Sequence, residues 1–255
     1  MIRCRYIMII FFISLASVAG AQDIKYDDRL SEQIQNYGQA EVCFSYPGID
    51  ELTRIGRKVP VSAIKNGMAY CVLSARDVDA FLSFQLNYKI IPLDESKAVE
   101  SAMSVEEAMN WDLYPTYQQY DSIMRKLAAD YPEICRLDTI GLSIEGRLIL
   151  ALKISDNVHE DEDEPEVFYT SNMHGDELQG FVLLLRLAEH LLANAGKGEL
   201  EQTLVDKLEI WINPLSNPDG TYNGGDTISY PTRANTNGTD LNRNFPDPLD
   251  PSIDP

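Results

Sequence analysis

The sequence predicts a mixed α/β fold: a mixed central sheet with helices on both faces, preceded by a small α+β domain. Two patterns predict it. From residue 114 onward, strand-like apolar runs alternate with two long segments of helical periodicity, the order that builds a sheet flanked by helices. Between residues 40 and 95, short β-rich runs surround one short helical stretch. The chain has 255 residues, 44% of them hydrophobic and 24% charged, enough to bury a core and unlike a disordered or collagenous composition.

The elements follow in order. Residues 1–21 have the pattern of a secretory signal: Arg3 and Arg5, an apolar stretch over 7–18, then Ala19-Gly20-Ala21. The expected location is outside the cytoplasm, periplasmic or extracellular. The apolar stretch is too short to serve as a stable membrane anchor. The formal net charge of −19 repels phosphate backbones and anionic lipid, so nucleic acid is not an expected partner. Strands are expected at 42–46, 69–73 and 88–93, with a helix at 75–84. Cys43 and Cys71 fall in two of these strands, as either cross-strand disulfide partners or buried thiols. Residues 94–112 read as a connector in which Ser104-Val105-Glu106-Glu107 resembles a helix cap.

Next, Tyr117, Tyr120, Ile123, Met124, Leu127, Ala128 and Tyr131 recur at helical spacing until Pro132. Residues 134–140 and 148–154 read as strands joined by a turn at Ile144-Glu145-Gly146-Arg147. The loop 156–166 holds five consecutive acidic residues, 160–164, read as a solvated connection because calcium-loop spacing is absent. His159 within it is expected to be exposed. A buried strand at 167–172 leads to an apolar helix at 178–194, stopped by Gly196, in which His190 is structural. A strand at 208–212 precedes a turn at Asn217-Pro218-Asp219-Gly220. Sites in such sheets gather where the strands' carboxyl ends meet the loops.

Two segments carry candidate chemistry. His174-Gly175-Asp176-Glu177 lies between a strand and the apolar helix, so a nitrogen and a carboxylate can enter one crevice, a mixed donor set that zinc accepts. The same residues also suit a plain helix start, with Glu177 beside the positive end of the helix dipole. The second segment, Thr232-Arg233-Ala234-Asn235 through Asp240-Leu241-Asn242-Arg243-Asn244-Phe245-Pro246-Asp247, places two arginines in an amide-rich loop. Guanidinium groups grip carboxylates through two parallel hydrogen bonds. A surface loop whose arginines answer the acidity of the chain accounts for it equally well.

Taken in order, His174-Gly175-Asp176-Glu177, Asn217-Pro218-Asp219-Gly220 and Asp240-Leu241-Asn242-Arg243-Asn244-Phe245-Pro246 resemble the zinc carboxypeptidase family, with wording close to its N/E branch. The resemblance covers about residues 114–247. It implies a cofactor, zinc, held by His174 and Glu177, with Asp240 orienting the ligand His. It implies that Arg233, nine residues before Asn242, polarises the scissile carbonyl, and that Asn242 and Arg243 hold a substrate's terminal carboxylate. The implied partners are peptide or protein C-termini. The implied division is a signal at 1–21, a leader-like region and connector at 22–112, and the first half of a catalytic domain at 113–255. The family's third ligand, a second His, its substrate-capping Tyr and its general-base Glu are expected further downstream, so the chain reads as an incomplete enzyme, inactive by itself. An amidase or deacylase of the same superfamily, or a non-catalytic binding module on the same scaffold, are the alternatives.

Overall fold

The computed structural model describes residues 28–92 and 99–245. The expected signal at 1–21 and the Pro246-Asp247 end of the last motif lie outside the described residues. Among the described residues there are two four-stranded sheets, one on each side of the 94–112 connector in sequence.

The first sheet contains β1 (Ala40–Ser45), β2 (Val61–Lys65), β3 (Met68–Leu73) and β4 (Tyr88–Ile91) in the order β2-β3-β1-β4, all antiparallel. Helices α1 (Asp28–Tyr37), α2 (Ile49–Gly56) and α3 (Val78–Leu82) accompany it. Leu30, Ile34, Leu52, Ile55 and Phe81 from these helices join Val42, Phe44, Cys71 and Leu73 in one core. The sequence pattern does not announce β2, α1 or α2. Their exposed faces dilute the apolar signal; β2 alternates without a fully buried residue. The cysteine question is settled by register. Cys43 lies opposite Tyr70 and Cys71 opposite Val42, so the two thiols point to opposite faces of the sheet. Both are free and buried, and burial pushes the Cys71 thiol up to about 12.

The second sheet contains β5 (Cys135–Leu142), β6 (Leu148–Ile154), β7 (Glu166–Thr170) and β8 (Glu209–Asn213) in the order β5-β6-β8-β7. The β5/β6 and β6/β8 pairs are antiparallel and β7/β8 is parallel, which makes a mixed sheet. The expected connector helix is α4 (Val105–Ala108), capped by Ser104, whose side chain accepts from the Glu107 amide. Helix α5 (Tyr117–Asp130) starts at a full capping box in which Thr116 and Gln119 satisfy each other's amides. Its buried stripe, Tyr120, Ile123, Met124 and Leu127, packs with Phe181, Leu185 and Leu192 of α6 (Leu178–Asn194) over Leu150, Leu152, Ile154, Ile210 and Ile212 of the sheet. Helix α6 carries the crossover from β7 to its parallel neighbour β8, with the short α7 (Glu199–Val205) before β8.

On the opposite face of β6 and β8, Lys153 and Glu209 form a buried ion pair of 2.6 Å. The acidic loop closes over it: the Glu160 carbonyl accepts from Lys153 and the Glu162 amide donates to Glu209. This loop is therefore a backbone cover for a buried pair as well as a solvated connection. The expectation of a buried strand at 167–172 needs correction. β7 is shorter, mostly exposed, and has β8 as its strand neighbour among the described residues, with Phe168 and Tyr169 about half exposed. The apolar run reflects β propensity, and among the described residues no second strand lies beside it. Asn172 then leaves the strand with a positive φ of 53°.

The packing predicts an asymmetric response along α6. Phe181→Ala should cost about 3–5 kcal/mol, because a fully buried ring leaves a cavity. Leu183→Ala, at a 63% exposed position, should stay within about 0.5 kcal/mol. Urea denaturation of both variants checks this, and equal costs would show that the helix face is assigned wrongly.

Candidate active site

Three loops meet at the carboxyl ends of β7 and β8: 171–177 before α6, 214–223 after β8, and 230–240. They meet backbone to backbone. A Cβ placed on Gly175 would lie 2.3 Å from the Gly220 carbonyl carbon and 2.6 Å from the Thr232 carbonyl oxygen. One on Gly220 would lie 2.6 Å from the Ala234 carbonyl oxygen. Both glycines of the quoted motifs are thus fixed by close approach.

The motif read as a simple turn at 217–220 is a capped helical turn, α8 (Pro218–Tyr222), because Asn217 and Pro218 are suited to the N-cap and first helical position. Asn217 accepts from the Gly220 amide and donates to the Met173 and Arg233 carbonyls at 3.3 and 3.5 Å, tying all three loops together. Asp219, 2% exposed, accepts from Ser143 Oγ, the Glu145 amide and Arg147 Nη1 at 2.8, 3.0 and 2.7 Å. Burial works against the Arg147 charge, but Asp219 and Glu145 outweigh it and hold the guanidinium pKa above its usual value. Sequence reasoning assigns no role to Asn217, Asp219 or Arg147. The available signal is an Asp in a motif beside an apolar strand, which suits an internal anchor as well as a surface turn.

The chemical cluster lies on these loops. His174 is 5% exposed and both ring nitrogens face carboxylates: Nδ1 is 2.9 Å from Glu177 Oε1 and Nε2 is 3.1 Å from Asp240 Oδ1. Glu177 occupies the N-cap position of α6, makes no cap bond, and leaves its side chain 63% exposed beside the imidazole. Arg233 Nε donates to Asp240 Oδ2 at 2.8 Å, and its Nη1 lies 3.8 Å from Glu177. Burial acts to raise the Asp240 pKa, but the hydrogen bond and charge of Arg233, with His174, prevail and hold the carboxyl below the usual range. Asp240 also accepts from the Asn242 amide at 2.9 Å.

The structure thus brings together His174, Glu177, Arg233 and Asp240. Asn242 and Arg243 adjoin this cluster through the backbone alone. Both are exposed, and the Arg243 guanidinium folds back onto the Asn242 carbonyl at 2.8 Å. The two other histidines are elsewhere: His159 is exposed in the acidic loop, and His190 on α6 bonds Glu201 at 3.0 Å.

The donor set fits zinc as far as it goes. An imidazole nitrogen and a carboxylate oxygen stand 2.9 Å apart, near the roughly 3.3 Å between two donors of one tetrahedral ion, and the other ring nitrogen faces a carboxylate. Among the described residues, the groups of three or more clustered donors lie in the acidic loop region, Asp156, Glu162 and Glu164, and Asp161, Glu166 and Glu209, away from His174.

Comparison with known proteins decides the family. The zinc carboxypeptidase family model matches residues 120–253, more than half of the chain. The chain belongs to the zinc carboxypeptidase family. Carboxypeptidase D of Rattus norvegicus is 43% identical over 143 residues, 54% of this chain and 10% of that protein. A zinc carboxypeptidase of Saccharothrix mutabilis subsp. capreolus is 36% identical over 139 residues, 52% of this chain and 32% of that protein. The chain therefore spans between a tenth and a third of these zinc carboxypeptidase relatives. The crystal structure of thrombin activatable fibrinolysis inhibitor matches with a TM-score of 0.56 at 18% identity, over 83% of this chain and 60% of that one. Carboxypeptidase A from Helicoverpa armigera matches with a TM-score of 0.53 at 21% identity, over 82% of this chain and 58% of that one. At those identities the likeness is one of fold, and it is a mixed α/β carboxypeptidase A-like fold.

The glycine contacts yield a direct test. Gly175→Ala should destabilise the chain by about 3 kcal/mol, because backbone on the far side cannot yield as a side chain would. Gly67→Ala provides the control for ordinary glycine strain, since its positive φ of 75° meets open space. An unchanged denaturation midpoint for Gly175→Ala would refute the close approach.

Proposed function

We propose that this chain carries a portion of the catalytic apparatus of an exported zinc metallocarboxypeptidase that removes amino acids from peptide or protein C-termini. The observation that supports it most is the placement of His174 Nδ1 beside Glu177 Oε1, with Nε2 of the same ring on Asp240. In this reading His174 and Glu177 hold zinc and Asp240 orients the imidazole. Bound zinc supplies an activated water and a Lewis acid for the scissile carbonyl.

The protein's own residues do the rest. Asp240, kept ionised by Arg233, fixes the tautomer in which Nε2–H donates and Nδ1 is left as a donor atom toward the metal. The Arg233 guanidinium sits 11% exposed at the rim of the crevice, where its charge stabilises an oxyanion as negative charge develops. Asn242 and Arg243 follow on the exposed stretch of the same loop, and turning the Arg243 side chain off the Asn242 carbonyl frees its fork for a terminal carboxylate. Recognition of that carboxylate restricts cleavage to chain ends. The signal-like residues 1–21 support export, and the two-unit layout supports a leader region at 22–112 followed by catalytic-domain sequence from 113.

The test is metal and ligand binding by the purified 255-residue chain. With two donors it should bind zinc weakly and turn over no hippuryl substrate. Glu177→Ala should abolish this binding, and Asp240→Ala should weaken it about 10–100-fold. Arg243→Lys should leave zinc unchanged and weaken the binding of hippurate, a simple terminal carboxylate. Equal zinc content in Glu177→Ala and the unaltered chain would remove Glu177 from the ligand set. Tight stoichiometric zinc with turnover would overturn the two-donor account.

A further inference from the structure

Arg233 is gripped on both sides of its backbone, and one grip comes from the first sheet's unit. Its carbonyl accepts from the Gly175 amide and Asn217 Nδ2, at 3.4 and 3.5 Å, within the second unit. Its amide donates to Gln39 Oε1 at 2.8 Å. The Nε2 of the same Gln39 donates to the Pro231 carbonyl at 3.4 Å. One planar side-chain amide thus engages the carbonyl of residue 231 and the amide of residue 233, the two flanking groups a parallel strand would take up.

Local chain geometry puts Gln39 there. Gly38, at a φ of 78°, ends α1 with its amide on the Ile34 carbonyl, and β1 begins at Ala40. A Cβ on Gly38 would come within 3.0 Å of Thr232 Cγ2, so the approach depends on glycine. Two further contacts fasten the same segment. The Tyr37 and Tyr230 rings meet edge-on at 4.9 Å, and Ser74 Oγ donates to the Gly238 carbonyl at 2.8 Å with Arg76 on Thr239 Oγ1 beside it. The segment between these points, 231–237, contains Arg233, and Asp240 lies just beyond it.

We propose that Gln39 is a positioning residue for Arg233: its side-chain amide fixes the backbone at 231–233, and so the direction in which the guanidinium meets Asp240 and the crevice. The first sheet's unit is then a working component of the site. The functional side of this rests on the role proposed for Arg233, since a displacement of about 1 Å in a group facing a developing charge costs on the order of 100-fold. The structural side does not depend on that role.

Two variants of the full chain test it. Gln39→Met keeps the bulk and removes both hydrogen bonds; Gln39→Glu keeps the acceptor for the Arg233 amide. Hydrogen exchange by NMR should show the Arg233 amide exchanging about tenfold faster in Gln39→Met, with Ile210 and Ile212 amides unchanged and protection restored in Gln39→Glu. Equal Arg233 exchange in Gln39→Met and the unaltered chain overturns the proposal, as does an acceleration shared with the Ile210 and Ile212 amides. Affinity for a phosphonate peptide analogue, whose oxyanion mimics the developing charge, reports the functional side in the same samples when set against Arg233→Ala. A loss in Gln39→Met that Gln39→Glu restores supports it. A phosphonate affinity indifferent to Arg233→Ala overturns the role given to Arg233, and the exchange ratio alone then decides the role of Gln39.

Discussion

The site depends on a place where three loops touch without side chains between them. Gly175, Gly220 and the Thr232–Ala234 backbone approach so closely that one methyl group at either glycine would collide with a carbonyl or amide. Everything chemically useful hangs from that contact. His174 is the residue before Gly175, Asn217 closes the turn that contains Gly220, and Arg233 lies between the two carbonyls that press against the glycines. The sheet supplies the platform, since the parallel β7/β8 pair ends both connecting loops on the same side.

Within that frame, charge is arranged around Asp240. One carboxylate oxygen faces the His174 ring and the Asn242 amide, and the other takes the Arg233 guanidinium. A 7% exposed carboxylate would be costly with fewer partners. With these it is an organising anion that sets both the imidazole orientation and the arginine's reach. Asp219 has a comparable role deeper in the fold, where Ser143, the Glu145 amide and Arg147 bind the β5–β6 turn to α8. The two aspartates differ in setting: one closes a packing joint, and the other lies between an imidazole and a guanidinium.

Much of this is legible in the sequence. The helices at α5 and α6 and the strands β5, β6 and β8 carry their periodicity openly, with Pro132 marking the end of α5. The family resemblance singles out His174, Glu177, Arg233 and Asp240, and the structure brings them together. What spacing does not convey is contact at long range. Gln39 is an ordinary polar residue until Arg233 is placed beside it, and Asp219 looks like a turn residue until Arg147 folds over it. The apolar run at 167–172 suggests burial, yet β7 keeps Phe168 and Tyr169 half exposed, because strand propensity and burial are separate properties. Cys43 and Cys71 do sit on adjacent strands, but a one-residue difference in register sends their thiols to opposite faces.

The bond between Gln39 and Arg233 joins residues 194 positions apart. Closing so long a loop is entropically unfavourable until other contacts have already brought its ends together, and contacts of this kind form late in folding. The sheets contain the hairpins β2–β3 and β5–β6 and longer-range pairings of β1 with β3 and β4 and of β8 with β6 and β7, but none of these closes so long a loop. During synthesis, the first sheet's strands emerge well before the segment that carries the arginine. The Gln39–Arg233 bond spans more chain than any strand pairing in either sheet, so it secures an approach that the strands and the Gly38–Thr232 contact have already made.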